Sequence, residues 1–283
     1  LRFIQATYDV LPSPINLQLW FGKDPSCPLC TVFIVILVTC SCWAAESGIV
    51  GGREAKPHSR PYMVSVQYRG VHSCGGILIQ RDFVLTAAHC KYTWGSCTVV
   101  LGAHDITKKE RTQQRIEVDE YFAHPGFTGN LNNDIMLLKL KKNATLNKYV
   151  RTIGLPKKNR ETPANIKCAV AGWGLTRANG SRSNVLKEAT EKMQFSTECK
   201  HIWQKHFNSG HMICTKFTRR DGGVCQGDSG GPLICNTKPQ GITAFTLAED
   251  CNNPQYPHVY TKVSSFIPWI NKGTGFSANC SLS

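Results

Sequence analysis

Three short motifs place His89, Asp134 and Ser229 along the chain in that order: Thr86-Ala-Ala-His-Cys90, Asn133-Asp-Ile-Met-Leu-Leu138 and Gly227-Asp-Ser-Gly-Gly-Pro232. A serine hydroxyl becomes a good nucleophile only when a neighbouring base takes its proton. A histidine does this best when a carboxylate fixes its tautomer. Unrelated folds assemble the same three groups in different chain orders, so the order constrains the architecture as well as the chemistry. For His89 alone, a buried structural histidine would be the ordinary reading; the three motifs together displace it.

At 283 residues the chain has room for one large domain or two small ones, and 41% hydrophobic content marks it as globular. Its 14 cysteines fit poorly with a reducing compartment. Only Cys27 and Cys30 stand at Cys-x-x-Cys spacing, and nothing completes a zinc site around them. No His-Glu-x-x-His occurs, and His201, His206 and His211 recur at a spacing that shares no helix face. Disulfides are expected, and no metal or other cofactor.

The apolar run Thr31-Val-Phe-Ile-Val-Ile-Leu-Val38 is followed by the small residues Cys42 and Ala44. Residues 1–48 read as a signal peptide cut after Ala44 plus a short propeptide, with residues 1–27 open to being an artefactual extension. The run is short for a membrane span, so no stable membrane anchor is expected, a signal anchor being the alternative. Secretion follows, with storage in granules implied by the resemblance below. The formal net charge of +14 keeps a surface soluble or serves a polyanion such as a sulfated glycosaminoglycan. No aromatic-interleaved basic strip points to specific nucleic-acid binding.

From Ile49 onward, short β-branched or alternating runs are broken by Gly, Pro and Asn. Strands are expected at Tyr62–Gln67, Gly75–Gln80, Phe83–Leu85, Thr98–Leu101, Ile116–Tyr121 and Ile135–Leu140. A second set is expected at Lys167–Trp173, Lys187–Gln194, Gly231–Cys235, Gly241–Leu247 and His258–Val263. Two sets of roughly six strands predict an all-β fold of two antiparallel β-barrels, since closure removes sheet edges. The barrels fall at about 49–150 and 160–263, joined by Asn143–Pro163, with a helical turn at Ser196–Gln204 and a C-terminal α-helix at about 264–272.

These residues resemble the chymotrypsin family of serine proteases, and within it the granule-stored granzymes and mast-cell chymases. Ile49-Val-Gly-Gly52, Glu54-Ala-Lys-Pro-His-Ser-Arg-Pro-Tyr-Met63 and Ala171-Gly-Trp-Gly174 carry the likeness beside the three motifs, over residues 49 to about 272. The resemblance implies an endopeptidase acting on proteins and peptides. Ser229 is the nucleophile, His89 the base and Asp134 its orienter. The Gly227 and Ser229 amides form the oxyanion hole. It also implies that Asp228 pairs with a new α-amino group at Ile49 once the propeptide is removed. Gly48 offers a trypsin-like activator nothing to cut after, and Ala45-Glu-Ser-Gly48 is two dipeptides, which suits an activating dipeptidyl peptidase. The disulfides it implies are Cys74–Cys90, Cys168–Cys235, Cys199–Cys214 and Cys225–Cys251. Cys97 and Cys280 are left over, free to pair with each other or between chains.

Four positions depart from the family or tune it. The pocket floor falls at Gly223, next to Val224, where trypsin-like members carry an aspartate, so tryptic specificity is not expected. Asp221 lies two residues too early to replace it. Thr246 and His258 stand where family members often have glycine. Two pocket readings follow: a narrowed neutral pocket for a small or medium apolar residue, or a His258 that attracts Asp or Glu. Ala244 replaces a serine whose hydroxyl usually helps satisfy the catalytic aspartate. Sequons occur at Asn143, Asn179 and Asn279. Against the enzyme stands a reading from another class, a cationic polyanion-binding or antimicrobial protein on the same fold with little proteolysis.

Overall fold

The computed structural model describes residues 49–92, 95–158 and 161–275; the expectations for residues 1–48, Cys280 and Asn279 lie outside them. The first half holds β1 (Arg53–Glu54), β2 (Met63–Tyr68), β3 (Val71–Gln80), β4 (Phe83–Thr86), β5 (Cys97–Leu101), β6 (Gln114–Ala123) and β7 (Met136–Leu140). Strands β2-β3-β4-β7-β6-β5 close into one antiparallel barrel. Period-2 alternation decides which side chains fill it. Val64, Val66, Val99 and Leu101 face its interior, whereas Met63 and Val100, one residue out of phase, pack with Trp173 and Leu186 of the second half. The seam between the barrels is therefore itself a core, and the Trp173 indole N–H donates across it to the His104 carbonyl at 3.0 Å.

The second half holds β8 (Lys167–Gly172), β9 (Lys187–Met193), α1 (Ser196–Trp203), β10 (Met212–Lys216), β11 (Pro232–Cys235), β12 (Lys238–Phe245), β13 (His258–Lys262) and α2 (Ile267–Thr274). Its strands run β9-β10-β13-β12-β11-β8, pairing of β8 with β9 closes the ring, and β1 is appended to β9. Strand β10 was not among the expected strands. Met212, Ile213, Cys214 and Thr215 are all buried, so the segment shows no alternation to read. The last helix begins later than expected, because Val263–Ser265 first winds as a tight 3-10 turn. Its Ile270 packs into the core of the first barrel.

All four implied disulfides form: Cys74–Cys90, Cys168–Cys235, Cys199–Cys214 and Cys225–Cys251. Each stabilises such a fold by about 2–4 kcal/mol. Cys97 is a free thiol buried in the first barrel. Among the described residues, no helix is long and apolar enough to cross a membrane.

Candidate active site

His89 lies on a 3-10 turn, Ala88–Cys90, that leaves the end of β4. The Cys74–Cys90 bond staples that turn to β3. Strand β4 pairs with β7, the ladder ending at Thr86 opposite Met136, so the turn after β4 and the segment before β7 leave the sheet side by side. Asp134 thus arrives next to His89. Its Oδ2 accepts from His89 Nδ1 at 2.6 Å and its Oδ1 from the His89 amide at 2.9 Å. With Nδ1 donating to the carboxylate, Nε2 keeps its lone pair and is the basic nitrogen. Burial lowers the pKa of His89, but the Asp134 charge and hydrogen bond outweigh it, so the net shift is upward. The His89 side chain is 25% exposed and that of Asp134 5%, so the base opens to the cleft while its partner is sealed.

Ser229 sits on the turn between Cys225 and Gly231, where the Asp228 amide donates to the Cys225 carbonyl and the Gly231 amide to the Asp228 carbonyl. The Ser229 carbonyl accepts from the Gly75 amide at 2.8 Å. That bond ties the serine turn of the second half to β3 of the first barrel, one residue from Cys74. The Ser229 hydroxyl makes no hydrogen bond to His89 among the described residues. Such bonds are commonly long before substrate binds and tighten in the complex. Cys74, His89 and Cys90 cluster closely, but both sulfurs are spent in the disulfide and are not thiolate ligands.

Gly227 holds φ at +93°, and a Cβ there would lie 3.0 Å from Gly174 Cα, so only glycine fits. Its carbonyl accepts from His72 Nε2 at 2.9 Å. His72 Nδ1 in turn pairs with the Ser65 hydroxyl at 2.8 Å, and the Gln67 amide nitrogen donates to that hydroxyl at 3.1 Å. Burial pushes His72 down to about 4, with the Arg182 charge adding to it, so its ring is neutral at pH 7. The sequence analysis did not single out His72. Its signal was a lone histidine inside a strand whose neighbours, Cys74, Ile77 and Leu78, are core.

Asp228 is fully buried, and its carboxylate accepts from the Gly174 amide at 2.9 Å and the Cys225 amide at 3.0 Å. Burial pushes it up to about 7 despite those two donors. No ion pair reaches it among the described residues, and the nitrogen of Ile49 is a peptide nitrogen joined to Gly48. The Ile49 side chain nevertheless already lies in the core of the second barrel with Val170, Met193 and Tyr260. The next residue, Val50, accepts from the Gly223 amide at 2.8 Å.

Gly223, Val224, Thr246 and His258 are all buried. Asp221 is exposed and takes a hydrogen bond from the Thr218 hydroxyl, away from the pocket. His258 opens β13 with no exposure at all. Its Nδ1 meets Glu191 Oε1 at 2.9 Å, its Nε2 meets the Cys251 carbonyl at 2.8 Å, and Phe217 stacks on the ring at 4.0 Å. Glu191 was not foreseen as a site residue. It sits amid Thr190, Lys192 and other polar residues, which reads as solvated surface. Yet the period of β9 sets it on the same side as Ala189 and Met193 and so points it inward. Ala244 lies where the register of β12 against β13 slips, between Thr243 and Phe245.

The chain matches the trypsin family model over residues 49–270. It is 43% identical to granzyme F of Mus musculus over 247 residues, covering 85% of this chain and 97% of that protein. It is 41% identical to chymase of Canis lupus familiaris, covering 84% and 94% of the two chains. Among solved structures it superposes on neuropsin, a serine protease expressed in the limbic system of mouse brain. The TM-score is 0.74 at 33% identity, covering 80% of this chain and all of that one. Two closed antiparallel barrels, a histidine–aspartate pair at their seam and these likenesses lead to one assignment: the chain belongs to the trypsin family, as a granzyme- and chymase-like serine endopeptidase.

Proposed function

We propose that Ser229, His89 and Asp134 are the catalytic groups, and that the 2.6 Å bond between His89 Nδ1 and Asp134 carries the reading. On this reading Ser229 Oγ attacks the scissile carbonyl carbon while His89 Nε2 takes its proton. The oxyanion is met by the Gly227 and Ser229 amides, each such donor stabilising the transition state by about 2.7–4 kcal/mol. The imidazolium, held by Asp134, then protonates the leaving amine. Water repeats the sequence on the acyl-enzyme and frees Ser229. His72, by pinning the Gly227 carbonyl, supports the direction of the neighbouring amides.

Activation is proposed to follow cleavage before Ile49, giving an ammonium that neutralises Asp228. The depth of the Ile49 side chain and the burial of Asp228, which no ion pair reaches among the described residues, both support it. A dipeptidyl peptidase is the proposed activator, and secretion with granule storage the proposed location. Specificity is non-tryptic, for a small or medium apolar residue or an acidic one ahead of the scissile bond.

A sulfated polyanion is the proposed further partner. Lys167, Lys192 and Lys216 stand opposite one another on β8, β9 and β10 and line one cleft with Thr190, Phe217, Thr218 and a single carboxylate, Asp221. Like charges in direct register repel, and none of the three has an acidic partner among the described residues. Asn143 and Asn179 are exposed and open to glycosylation.

The decisive experiment is labelling by a serine-directed fluorophosphonate of chain processed to begin at Ile49. Labelling that vanishes in S229A supports the catalytic assignment. Tight polyanion binding without labelling would favour the non-enzymatic reading instead.

A further inference from the structure

His258 and Glu191 form an ion pair with no solvent contact beneath the expected pocket floor. A carbonyl only accepts, so the Nε2 facing Cys251 carries a hydrogen. Glu191 Oε1 also accepts from the Val224 amide at 3.2 Å. Its Oε2 takes the Tyr260 hydroxyl at 2.8 Å and the Thr215 hydroxyl. Three donors on one carboxylate, besides His258, favour its ionised form. Burial alone would raise its pKa, but the His258 charge and these hydrogen bonds hold it below the usual carboxylate range. Nδ1, 2.9 Å from that carboxylate, is placed to donate as well, so both ring nitrogens are taken up within the protein. Asp228 is the other ionisable carboxylate felt by this pair, and Tyr260 the ionisable hydroxyl against it.

Two consequences bear on substrate. Neither ring nitrogen is left to meet an acidic side chain. The pair also takes up depth: a Cβ on Gly223 would run into Glu191 Oε1 and lie 2.5 Å from His258 Cε1. We propose that Glu191 is a specificity-determining residue, which by pairing with His258 closes the pocket as a short neutral socket for a small or medium uncharged residue ahead of the scissile bond. The inference rests on the Ser229 chemistry proposed above. It gives Glu191 a role at one remove: it acts through His258 and never touches the substrate.

The test is a set of peptide substrates differing only in that residue, hydrolysed by the processed chain. Ala and Val substrates are expected to exceed Asp, Lys and Phe by at least tenfold in kcat/KM. In H258G the pocket deepens onto an unpaired carboxylate, and Lys and Arg substrates should gain at least tenfold. In E191Q/H258G that gain should vanish and Phe and Leu substrates should rise instead. A parent that prefers Asp, or a basic gain that persists in the double variant, overturns the proposal. Should the lone buried charge keep H258G from folding, the double variant decides: an unchanged profile sinks the idea and a gain for bulky residues upholds it. Fluorophosphonate labelling reads the Ser229 chemistry separately. A parent that does not label can still be examined as S229A by nitrogen NMR. Both ring nitrogens of His258 should then carry protons at pH 7, and one should lose its proton in E191Q/S229A. A neutral ring in S229A overturns the pairing.

Discussion

Of the three histidine–carboxylate pairs among the described residues, His104–Glu54 lies apart from the site, and the other two are alike in length but differ in surroundings. His89 meets Asp134 at 2.6 Å and His258 meets Glu191 at 2.9 Å. The difference lies at the second ring nitrogen. Nε2 of His89 has no hydrogen-bond partner among the described residues and its side chain is 25% exposed, so the pair can pass a proton. Nε2 of His258 is held by the Cys251 carbonyl and the ring is sealed, so that pair can only fill space and balance charge. A carboxylate beside an imidazole is thus not a functional signature by itself. What the far nitrogen faces decides whether the pair reacts or supports.

The largest effect that would test this contrast is D134N. It should cost turnover about equally for every substrate, by the ~10⁴-fold known for this change in the family's triads, a magnitude carried over and not read from this geometry. A D134N loss confined to one class of substrate would erase the distinction between the pairs. Next in size, E191L should lower unfolding free energy by about 1–3 kcal/mol, because it leaves the buried Val224, Tyr260 and Thr215 donors without their acceptor. Urea melts on an S229A background measure it, and an unchanged stability would mean that Glu191 does not hold those donors.

Asp228 sharpens the comparison as a buried carboxylate that no ion pair reaches among the described residues. Its pKa in the uncut chain is raised from 3.8 to about 7, so the native state holds a proton that the unfolded chain releases. Its contribution is full below pH 3.8 and is lost as pH rises toward 7, by up to about 4 kcal/mol. His72 runs the other way. Its pKa falls from 6.5 to about 4, so stability drops as pH falls through that window. His72 is common to both forms and cancels between them. The stability advantage of the processed over the uncut S229A chain should therefore grow from pH 4 to pH 7. A constant difference in urea melts would argue against an ammonium partner for Asp228.

The smallest effect concerns hydrogen-bond supply. Glu191 accepts from three donors besides His258, whereas each Asp134 carboxylate oxygen accepts from one. A244S should give Asp134 a further donor and raise kcat roughly tenfold, from about 1.5 kcal/mol for a hydrogen bond to a charged group. An unchanged kcat would show that Asp134 needs no third donor.

Much of the candidate site could be proposed in advance because its signals are local. His89, Asp134 and Ser229 each lie in a short motif, and the pocket positions follow by counting from Cys225. Glu191 and His72 could not be found this way. Each is one polar residue in a strand, and the strand's period alone separates a buried polar group from a solvated one. Strand β10 was hidden for the converse reason: burial on both faces removes the alternation that marks a strand.

The sequence by itself determined the family, through its motifs, and the barrel architecture, because turn residues and β-branched runs act through local geometry; the disulfide framework came with the resemblance to that family. Only the tertiary structure decided that His258 meets Glu191, that no ion pair reaches Asp228 among the described residues and that His72 meets the Gly227 carbonyl. Charge and proton location depend on partners brought from distant strands, and Glu191 and His258 lie 67 residues apart in the chain. No local pattern encodes which of them meet.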